Sequence, residues 1–367
     1  MKEIRIIVSG GGTGGHIFPA ISIANALKSR FPDRVKILFV GAEGRMEMTR
    51  VPAAGYQIVG LPIRGFDRAH LLNNIKTLYM ALKSTLKARK IVRDFKPHVA
   101  VGVGGYASGP LLKAASSKGV PTVIQEQNSY AGVTNKLLAS KASKICVAYS
   151  GMERFFPKDK LVFTGNPVRQ DLLKGEHLRE EALAYFGLKS DRKTLLVMGG
   201  SLGAKTLNDS MMQHLDELVS SDIQVIWQTG SYYYQSILEQ LQGKTLQNIQ
   251  VLEFLNRMDL AYSVADLIVS RAGASSISEL CLLQKAVILV PSPNVAEDHQ
   301  TKNALALVHE NAAVMVKDID ARTQLVSKAL LLIKQDDELA VLKQNIVKLA
   351  QTDSAERIAD EILKLVN

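Results

Sequence analysis

Short apolar runs rich in valine and isoleucine alternate with longer helix-like stretches along this chain of 367 residues. Continuous apolar strands separated by helices are typical of parallel sheets that carry helices on both faces. The sequence therefore predicts an α/β protein with doubly wound parallel sheets. Ten such runs occur, five in each half, at residues 4–8, 35–40, 99–103, 122–126, 144–148, 194–198, 224–228, 249–254, 267–270 and 286–290.

The two halves of the chain begin alike, which indicates that the same fold occurs twice. IIVSGGGTGGH opens the first half and LLVMGGSLGA the second, each read as a strand, a glycine loop and a helix start. A chain of this length usually needs two hydrophobic cores, and Gly165, Asn166 and Pro167 break the periodicity between them. The predicted divisions are a first domain at 1–163, a second at 164–344 and a helix at about 345–367 that could pack back on the first.

The charge balance points to an anionic partner. Lys and Arg number 45 against 35 Asp and Glu, a formal net charge of +10. Such a surplus suits nucleic acid, phosphorylated substrates or an anionic membrane surface. The chain has no RRM, KH or zinc-finger pattern, so no nucleic-acid partner is expected.

Cysteine usage and hydropathy favour a reducing compartment. Cys146 and Cys281 each lie in an apolar run without metal-ligand spacing, as buried free thiols do. We find no signal-peptide pattern and no run of about 18 apolar residues. The sequence predicts a cytoplasmic protein whose membrane contact, if any, is peripheral.

The first glycine loop, Gly10 to Gly15, follows a strand and precedes a helix. Glycines allow positive φ and let a phosphate or sugar approach closely, and the helix N-terminus offers free N–H groups. Dinucleotide-binding enzymes use a similar loop. Pro19 near the helix start disfavours a dinucleotide site, whereas Glu43 keeps that site open because it could bind a ribose. A tight turn without a ligand is the simpler alternative. His16, directly after the loop, could take a proton from an attacking hydroxyl, or could serve only in capping or packing.

Further glycine-rich and polar segments follow other predicted strands. Two facing domains would leave a cleft at the carboxyl ends of their strands, where open α/β sheets bind ligands. Glu279 could accept the hydroxyls of a ribose, or it could form a helix capping box with Ser276. Arg169 could bind a diphosphate, or it could form a surface ion pair. No acidic pair of the DxD kind calls for a metal, and no cofactor is expected. The segments are 102–110 with Tyr106, 125–128, Asn135, Arg169, 199–204, 271–279 and 291–303 with His299 and Gln300.

A basic stretch at residues 64–96 holds nine Lys and Arg residues against Asp67 and Asp94. Its apolar residues recur at helical spacing, which predicts a basic amphipathic helix. Core packing with a solvated basic face is the simpler interpretation. Docking on an anionic bilayer is the alternative, with about 1 kcal/mol from each basic residue. The spaced apolar residues are Leu71, Ile75, Leu78 and Leu82.

Seven motifs occur in one order along the chain: GGGTGGH, GVGGYASGP, EQN with TNK, GNPVR, GGSLGA, RAGASSISE and the Gln300 loop. Over residues 4–315 they closely resemble the MurG family, the glycosyltransferases of peptidoglycan assembly. The resemblance implies two Rossmann-like domains in the GT-B arrangement. It implies UDP-N-acetylglucosamine as donor and undecaprenyl-diphosphate-linked N-acetylmuramoyl-pentapeptide as acceptor, with an inverting β-1,4 transfer at the cytoplasmic membrane face. The implied partners are these substrates, the anionic membrane surface and other cell-wall synthesis proteins.

The resemblance also implies roles for individual residues. His16 matches the family's candidate base, and Leu255 matches the position whose backbone reads the uracil. Glu126 is the second catalytic candidate, because the histidine expected directly before it is missing. Two positions depart from the family pattern: Gln125 stands where histidine is expected, and His299 where a second glutamine is common. On the acceptor side the matches are Gly104, Gly105, Tyr106 and Asn135. Substrate contacts are implied for Thr13, Gly14, Gly15, Asn128, Arg169, Ser201, Leu255, Ala274, Ser275, Ser276, Ile277, Ser278, Glu279 and Gln300.

Three rival functions make different predictions. A UDP-N-acetylglucosamine 2-epimerase of the same architecture would act on the donor without a lipid acceptor. A nicotinamide oxidoreductase would bind NADH tightly and UDP not at all. A non-catalytic basic scaffold would bind liposomes without turnover.

Overall fold

The computed structural model describes residues 3–63, 74–168, 172, 178–295 and 298–366, without the side chains of 74–78. These residues divide into two compact units. The first unit comprises Met1–Arg169 with Gln351–Asn367, and the second comprises Gln170–Ala350.

The first unit contains a seven-stranded parallel sheet. Its strands are β1 (Ile4–Gly10), β2 (Val35–Ala42), β3 (Gln57–Leu61), β4 (Val99–Gly104), β5 (Thr122–Glu126), β6 (Lys144–Val147) and β7 (Leu161–Phe163). Their order is β3-β2-β1-β4-β5-β6-β7. Ile6 of β1 pairs with Ile37 of β2 and with Val99 of β4, which fixes the register at the centre of the sheet.

Helices cover both faces of this sheet. Successive strand residues point to opposite faces, so Ile6 and Val8 join one buried cluster and Ile7 joins the other. All three side chains have no exposed surface. The central strands can therefore be apolar at every position. The helices are α1 (Gly14–Arg30), α2 (Glu47–Ala53), α3 (Asn74–Phe95), α4 (Ser108–Ser116) and α5 (Val133–Ala139).

Pro19 lies inside α1, so the expectation that it would stand near the helix start is wrong. The helix begins directly at Gly14, with Thr13 extended before it. Because proline lacks an N–H, the helical bond from position 19 to the Gly15 carbonyl is absent. Pro19 thus gives no argument against a long helix behind the glycine loop.

The second unit repeats the architecture with six strands. They are β8 (Thr194–Met198), β9 (Gln224–Gln228), β10 (Ile249–Leu252), β11 (Leu267–Ser270), β12 (Val287–Leu289) and β13 (Val314–Met315). The order β10-β9-β8-β11-β12-β13 equals that of the first six strands of the first unit. The predicted fold class of two doubly wound parallel sheets is confirmed.

The second unit's core surrounds Trp227, which is fully buried and donates from Nε1 to Asn208 at 3.0 Å. Its helices are α6 (Arg179–Phe186), α7 (Lys205–Gln213), α8 (Leu215–Ser220), α9 (Tyr234–Gln240), α10 (Met258–Val264), α11 (Ala274–Leu282), α12 (His299–Val308), α13 (Asp318–Leu332) and α14 (Asp336–Ile346).

The last helix, α15 (Ser354–Leu363), belongs to the first unit. Ile358 and Ile362 join the buried cluster that α1 forms with β1. Arg30 of α1 pairs with Asp360 and donates to the Glu356 carbonyl at 3.1 Å. Helix α15 therefore completes the core that α1 and β1 form.

All ten predicted strands are present, and three strands were missed. Within β3, Gly60 interrupts the apolar pattern, while β7 and β13 have only three and two residues. Runs this short carry little periodicity to detect. β7 also lies just before Gly165, Asn166 and Pro167, which we read as the break between the domains.

Both sheets reverse their strand order next to the first strand of each unit. The reversal lies between β1 and β4 and again between β8 and β11. Ligands of open α/β sheets bind outside the carboxyl ends of the strands at such a point. Of the helices in the described part of the chain, none combines the length and apolarity needed to cross a bilayer.

Candidate functional site

Two glycine loops meet at the reversal point of the first unit. Gly105 has a φ of +88°, and a Cβ there would lie 2.4 Å from the Gly11 carbonyl oxygen. Ser108 at the start of α4 donates from Oγ to the Ser9 carbonyl at 3.1 Å and to the Gly104 carbonyl at 2.8 Å. Glycine is needed because only its backbone can approach so closely in that conformation.

His16 lies in the first turn of α1, half-buried against the second loop. Its Nδ1 lies 3.1 Å from the Gly11 carbonyl oxygen, and a Cβ on Gly104 would be 2.7 Å from its Nε2. Since a carbonyl can only accept, Nδ1 carries the proton and the lone pair of the neutral ring is on Nε2. The geometry leaves Nε2 as the basic nitrogen.

Glu47 was not predicted from the sequence as a site residue. Its carboxylate accepts a hydrogen bond from the first glycine loop. Its side chain is fully buried, and it accepts hydrogen bonds from the Ala42 and Gly12 N–H groups, both at 2.9 Å. A Cβ on Gly11 would lie 2.1 Å from Glu47 Oε1. Glu43, considered as a ribose ligand, is instead half exposed and pairs with Lys87 at 2.9 Å.

Glu126 at the end of β5 is buried and accepts four hydrogen bonds. Oε1 accepts from the Asn128 N–H at 3.1 Å and from its Nδ2 at 3.2 Å. Oε2 accepts from the Gly132 N–H at 2.9 Å and from Asn135 Nδ2 at 2.8 Å. Both carboxylate oxygens therefore fix the loop that carries Asn128 and leads into α5.

Three buried amide side chains extend this network toward the end of β7. Gln125 Nε2 donates to Asn166 Oδ1 at 3.0 Å, and Asn166 Nδ2 donates to the Gln127 carbonyl at 3.0 Å. Gln127 Nε2 donates to the Val103 carbonyl at 2.5 Å. The amide side chain of Gln125 is therefore fully buried inside the unit. Tyr106, by contrast, is 51% exposed beside the two glycine loops.

The glycine loop of the second unit is held by the turn after β9. Gly203 has a φ of +87°, and a Cβ there would lie 2.0 Å from the Thr229 carbonyl oxygen. The Ser231 N–H donates to the Ser201 carbonyl at 3.1 Å, and Gln228 Nε2 donates to the Gly200 carbonyl at 2.9 Å. Ser201 is half-buried on this hydrogen-bonded loop, which precedes the N-terminus of α7.

The predicted capping box at Ser276 and Glu279 is wrong. α11 starts at Ala274 behind an extended Gly273, so Ser276 already lies inside the helix. Glu279 instead accepts a hydrogen bond from the Tyr262 hydroxyl at 2.9 Å. Among its neighbours, Ile277 is buried and Ser278 Oγ donates to the Ala274 carbonyl at 3.0 Å. Ser275, Ser276 and Glu279 are half-buried.

The loop after β12 is anchored to the loop after β11. Arg271 donates to the Val290 and Pro291 carbonyls at 3.1 and 3.3 Å and pairs with Asp318 at 2.5 Å. Gln300 Oε1 accepts from the Ser292 N–H at 2.9 Å. These bonds place Gln300 near the carboxyl end of β12.

Leu255 is buried after β10, at the wall of a cavity of about 260 Å³ that Tyr185, Phe186 and Phe254 also line. Arg169 lies outside the described residues. The described part of the chain contains no group of three or more His, Cys, Asp or Glu side chains arranged to hold a metal ion.

The basic stretch forms part of α3, and its exposed surface carries apolar as well as basic side chains. Ser84, Ala88 and Val92 face the protein, whereas Tyr79, Leu82 and Leu86 are 66%, 62% and 56% exposed. Core packing is therefore wrong for Leu82, because Ser84, Ala88 and Val92 form the buried face of α3. Leu71, Arg64 and Arg68 lie outside the described residues, as do the side chains of Ile75, Lys76 and Leu78.

Each of the two units matches a domain of a known protein family. Residues 6–147 match the glycosyltransferase family 28 N-terminal domain, and residues 194–362 match its C-terminal domain. The chain belongs to glycosyltransferase family 28. This family 28 chain is 65% identical over 367 residues to a protein of Parabacteroides distasonis, each covered completely. It is 62% identical over 367 residues to one of Phocaeicola vulgatus, with 100% of this chain and 97% of the other covered.

Both relatives are named UDP-N-acetylglucosamine–N-acetylmuramyl-(pentapeptide) pyrophosphoryl-undecaprenol N-acetylglucosamine transferase. Among solved structures, MurG of Acinetobacter baumannii matches this family 28 chain with a TM-score of 0.74 and 28% identity, covering 99% of each chain. A UDP-GlcNAc 2-epimerase of Neisseria meningitidis has a TM-score of 0.72 at 13% identity, covering 98% of this chain and 100% of the other. At that identity the likeness concerns the fold alone.

Proposed function

We propose that this glycosyltransferase moves N-acetylglucosamine from UDP-N-acetylglucosamine to the 4-hydroxyl of undecaprenyl-diphosphate-linked N-acetylmuramoyl-pentapeptide, with inversion at the anomeric carbon. The observation that carries the proposal is the full-length identity of 65% to a relative named for this transfer. A 2-epimerase shares the fold at 13% identity, which gives no reason to prefer that activity.

His16 is the proposed general base. Its Nδ1 proton is directed at the Gly11 carbonyl, so Nε2 accepts the proton of the acceptor's 4-hydroxyl. The hydroxyl oxygen then forms a bond to the anomeric carbon of the donor. The bond from that carbon to the diphosphate breaks, and UDP leaves with the electron pair.

Glu126 has a different proposed role, although it is the second catalytic candidate. Its two oxygens already accept four hydrogen bonds, and its side chain is 1% exposed. We assign it to positioning Asn128, a proposed substrate contact, and Asn135. Asn135 is a proposed acceptor-side residue, as are Gly104, Gly105 and Tyr106. Of the two candidates, His16 is the base.

The second unit is the proposed donor-binding domain, and the first unit the acceptor domain. Backbone N–H groups near Ser201 and the N-terminus of α11 suit the negative charge of a departing diphosphate. Glu279, held by Tyr262, accepts the ribose hydroxyls in this proposal. For Arg169 we keep the diphosphate contact that the family resemblance implies. The remaining proposed donor contacts are Thr13, Gly14, Gly15, Leu255, Ala274, Ser275, Ser276, Ile277, Ser278 and Gln300.

The exposed face of α3 is the proposed membrane-docking surface, at the cytoplasmic side of the cell membrane. Tyr79, Leu82 and Leu86 line an open groove of about 640 Å³ with Arg89 and Lys113. Apolar side chains can enter the headgroup region while cations meet anionic lipids. A lipid-linked acceptor would be reached from such a position.

Transfer of labelled N-acetylglucosamine tests the function. With lipid-linked acceptor, we expect the label in the lipid fraction in step with UDP release. Conversion of UDP-N-acetylglucosamine without acceptor would favour the epimerase instead. NADH binding without UDP binding would overturn the glycosyltransferase assignment.

A further inference from the structure

The fully buried carboxylate of Glu47 has a local role that packing alone does not explain. Glutamate side chains are almost never fully buried unless their charge is partnered. Here Oε1 accepts from the Ala42 N–H and Oε2 from the Gly12 N–H, both at 2.9 Å. The carboxylate thus joins the end of β2 to the first glycine loop, across 35 residues of sequence.

This contact fixes the part of the loop that meets His16. Gly11 lies against Glu47 so closely that a Cβ would be 2.1 Å from Oε1. The carbonyl of the same Gly11 lies 3.1 Å from His16 Nδ1. Glu47 therefore holds the peptide whose oxygen selects the ring nitrogen that carries the proton.

We propose that Glu47 is a positioning residue for His16. By holding Gly11 and Gly12 in place, it keeps the neutral imidazole in the Nδ1–H tautomer with Nε2 as the basic nitrogen. The catalytic consequence rests on the proposed role of His16 as base, whereas the tautomer itself does not.

The carboxylate is the side chain that this position requires. It presents two acceptors to two backbone donors, and each charge-assisted bond is stronger than a neutral one. Glutamine has a similar size but only one acceptor, so its NH₂ would face one of the two N–H groups. Aspartate keeps the charge but is one methylene shorter and can reach one donor well.

The test compares Glu47→Gln and Glu47→Asp with Glu3→Gln, a matched change on a partly exposed carboxylate of the same unit. Steady-state transfer gives kcat and the donor KM, and imidazole ¹⁵N shifts of histidine-labelled protein give the tautomer. A His16→Gln sample assigns the His16 signals among the seven histidines.

We expect Glu47→Gln to lower kcat at least tenfold, to leave the donor KM within twofold and to mix the His16 tautomers. Glu47→Asp should fall between Glu47→Gln and wild type, and Glu3→Gln should match wild type. Should Glu47→Gln fail to fold, Glu47→Asp carries the same test. A wild-type tautomer and a kcat within twofold of wild type in the folded variant would overturn the proposal.

The readouts separate this inference from the proposed function. If the wild-type enzyme transfers the sugar but Glu47→Gln behaves like it, only the role of Glu47 is lost. If the wild-type enzyme transfers nothing, the proposed function is wrong. The ¹⁵N shifts then still decide whether Glu47 sets the tautomer.

Discussion

The hydroxyl of Tyr262 donates a hydrogen bond to Oε2 of Glu279 at 2.9 Å. Tyr262 belongs to α10 and is 1% exposed, whereas Glu279 belongs to α11 and is half-buried. A fully buried phenol thus restrains a partly accessible carboxylate in the second turn of a helix. This restraint suits a carboxylate that accepts two neighbouring hydroxyls of a sugar.

Tyr262→Phe should therefore weaken donor binding more than turnover. The ring still fills the core, while the loss of one hydrogen bond costs about 1 kcal/mol of folding stability. Because Glu279 is no longer restrained, we expect the donor KM to rise about fivefold, which corresponds to about 1 kcal/mol of binding free energy. We expect kcat to change less than twofold. Tyr56→Phe, which removes the bond to Asn25 in the first unit, is the control and should leave the donor KM unchanged.

His16→Gln should lower kcat by a factor of about 10² to 10⁴, the usual contribution of a general base. Glutamine can still donate to the Gly11 carbonyl, so the loop should remain in place. Isothermal titration with UDP should give wild-type affinity. His214→Gln, which changes a half-buried histidine of the second unit, is the control. A kcat within threefold of wild type in His16→Gln would remove the base assignment.

Gly105→Ala should destabilise the first unit more than Gly119→Ala. Both glycines have positive φ, at +88° and +73°, so alanine is strained at each by roughly 1–2 kcal/mol. Only at Gly105 does the new Cβ also meet the Gly11 carbonyl oxygen, at 2.4 Å. Urea unfolding should show the additional loss at Gly105, together with reduced transfer. Equal losses in both variants would contradict the close approach of the two loops.

Both thiols should be unreactive in the folded protein. Burial raises the pKa of Cys146 and of Cys281 to about 12, and the thiolate is the reactive form. A thiol reagent at pH 8 should therefore label neither cysteine until denaturant is added, when it should label both.

The same shifts predict a loss of stability in alkali. The folded chain holds each thiol proton up to about pH 12, whereas the unfolded value is near 9. The unfolded state therefore loses protons first, and this contribution to stability falls as the pH rises from about 9 toward 12. Cys146→Ala with Cys281→Ala should flatten that part of the stability curve.

Leu82→Gln with Leu86→Gln should reduce binding to anionic vesicles at least tenfold. Each leucine that enters the headgroup region contributes on the order of 1 kcal/mol or more. Because both side chains are more than half exposed, thermal stability should not change. Leu331→Gln, 63% exposed on the second unit, is the control for an exposed leucine elsewhere. Wild-type vesicle binding by the double variant would place the membrane contact on another surface.

Strand positions could be predicted because buried parallel strands are apolar on both faces. The runs at 4–8 and 194–198, for example, are continuous enough to distinguish them from helices. Their glycine loops are also local features, and the order of the motifs identified the family. β7 and β13 were missed because they are short, and β3 because Gly60 interrupts its apolar pattern. All three lie at sheet edges.

The partners that orient these local features could not be predicted. Glu47 lies 35 residues from Gly12, and Asp318 lies 47 residues from Arg271. No spacing rule links such pairs, since their distance depends on how strands are ordered in the sheet. For the same reason the exposed side of α3 could not be decided from its periodicity.

The sequence by itself determined the two doubly wound sheets and the glycine loops at their strand ends. These properties depend on local hydrophobic pattern and on backbone conformations that glycine allows. Only the tertiary structure decided that Glu126 is enclosed by four hydrogen bonds and that Nε2 is the basic nitrogen of His16. Both facts follow from backbone groups brought together by the strand order, because hydrogen bonding depends on distance in space.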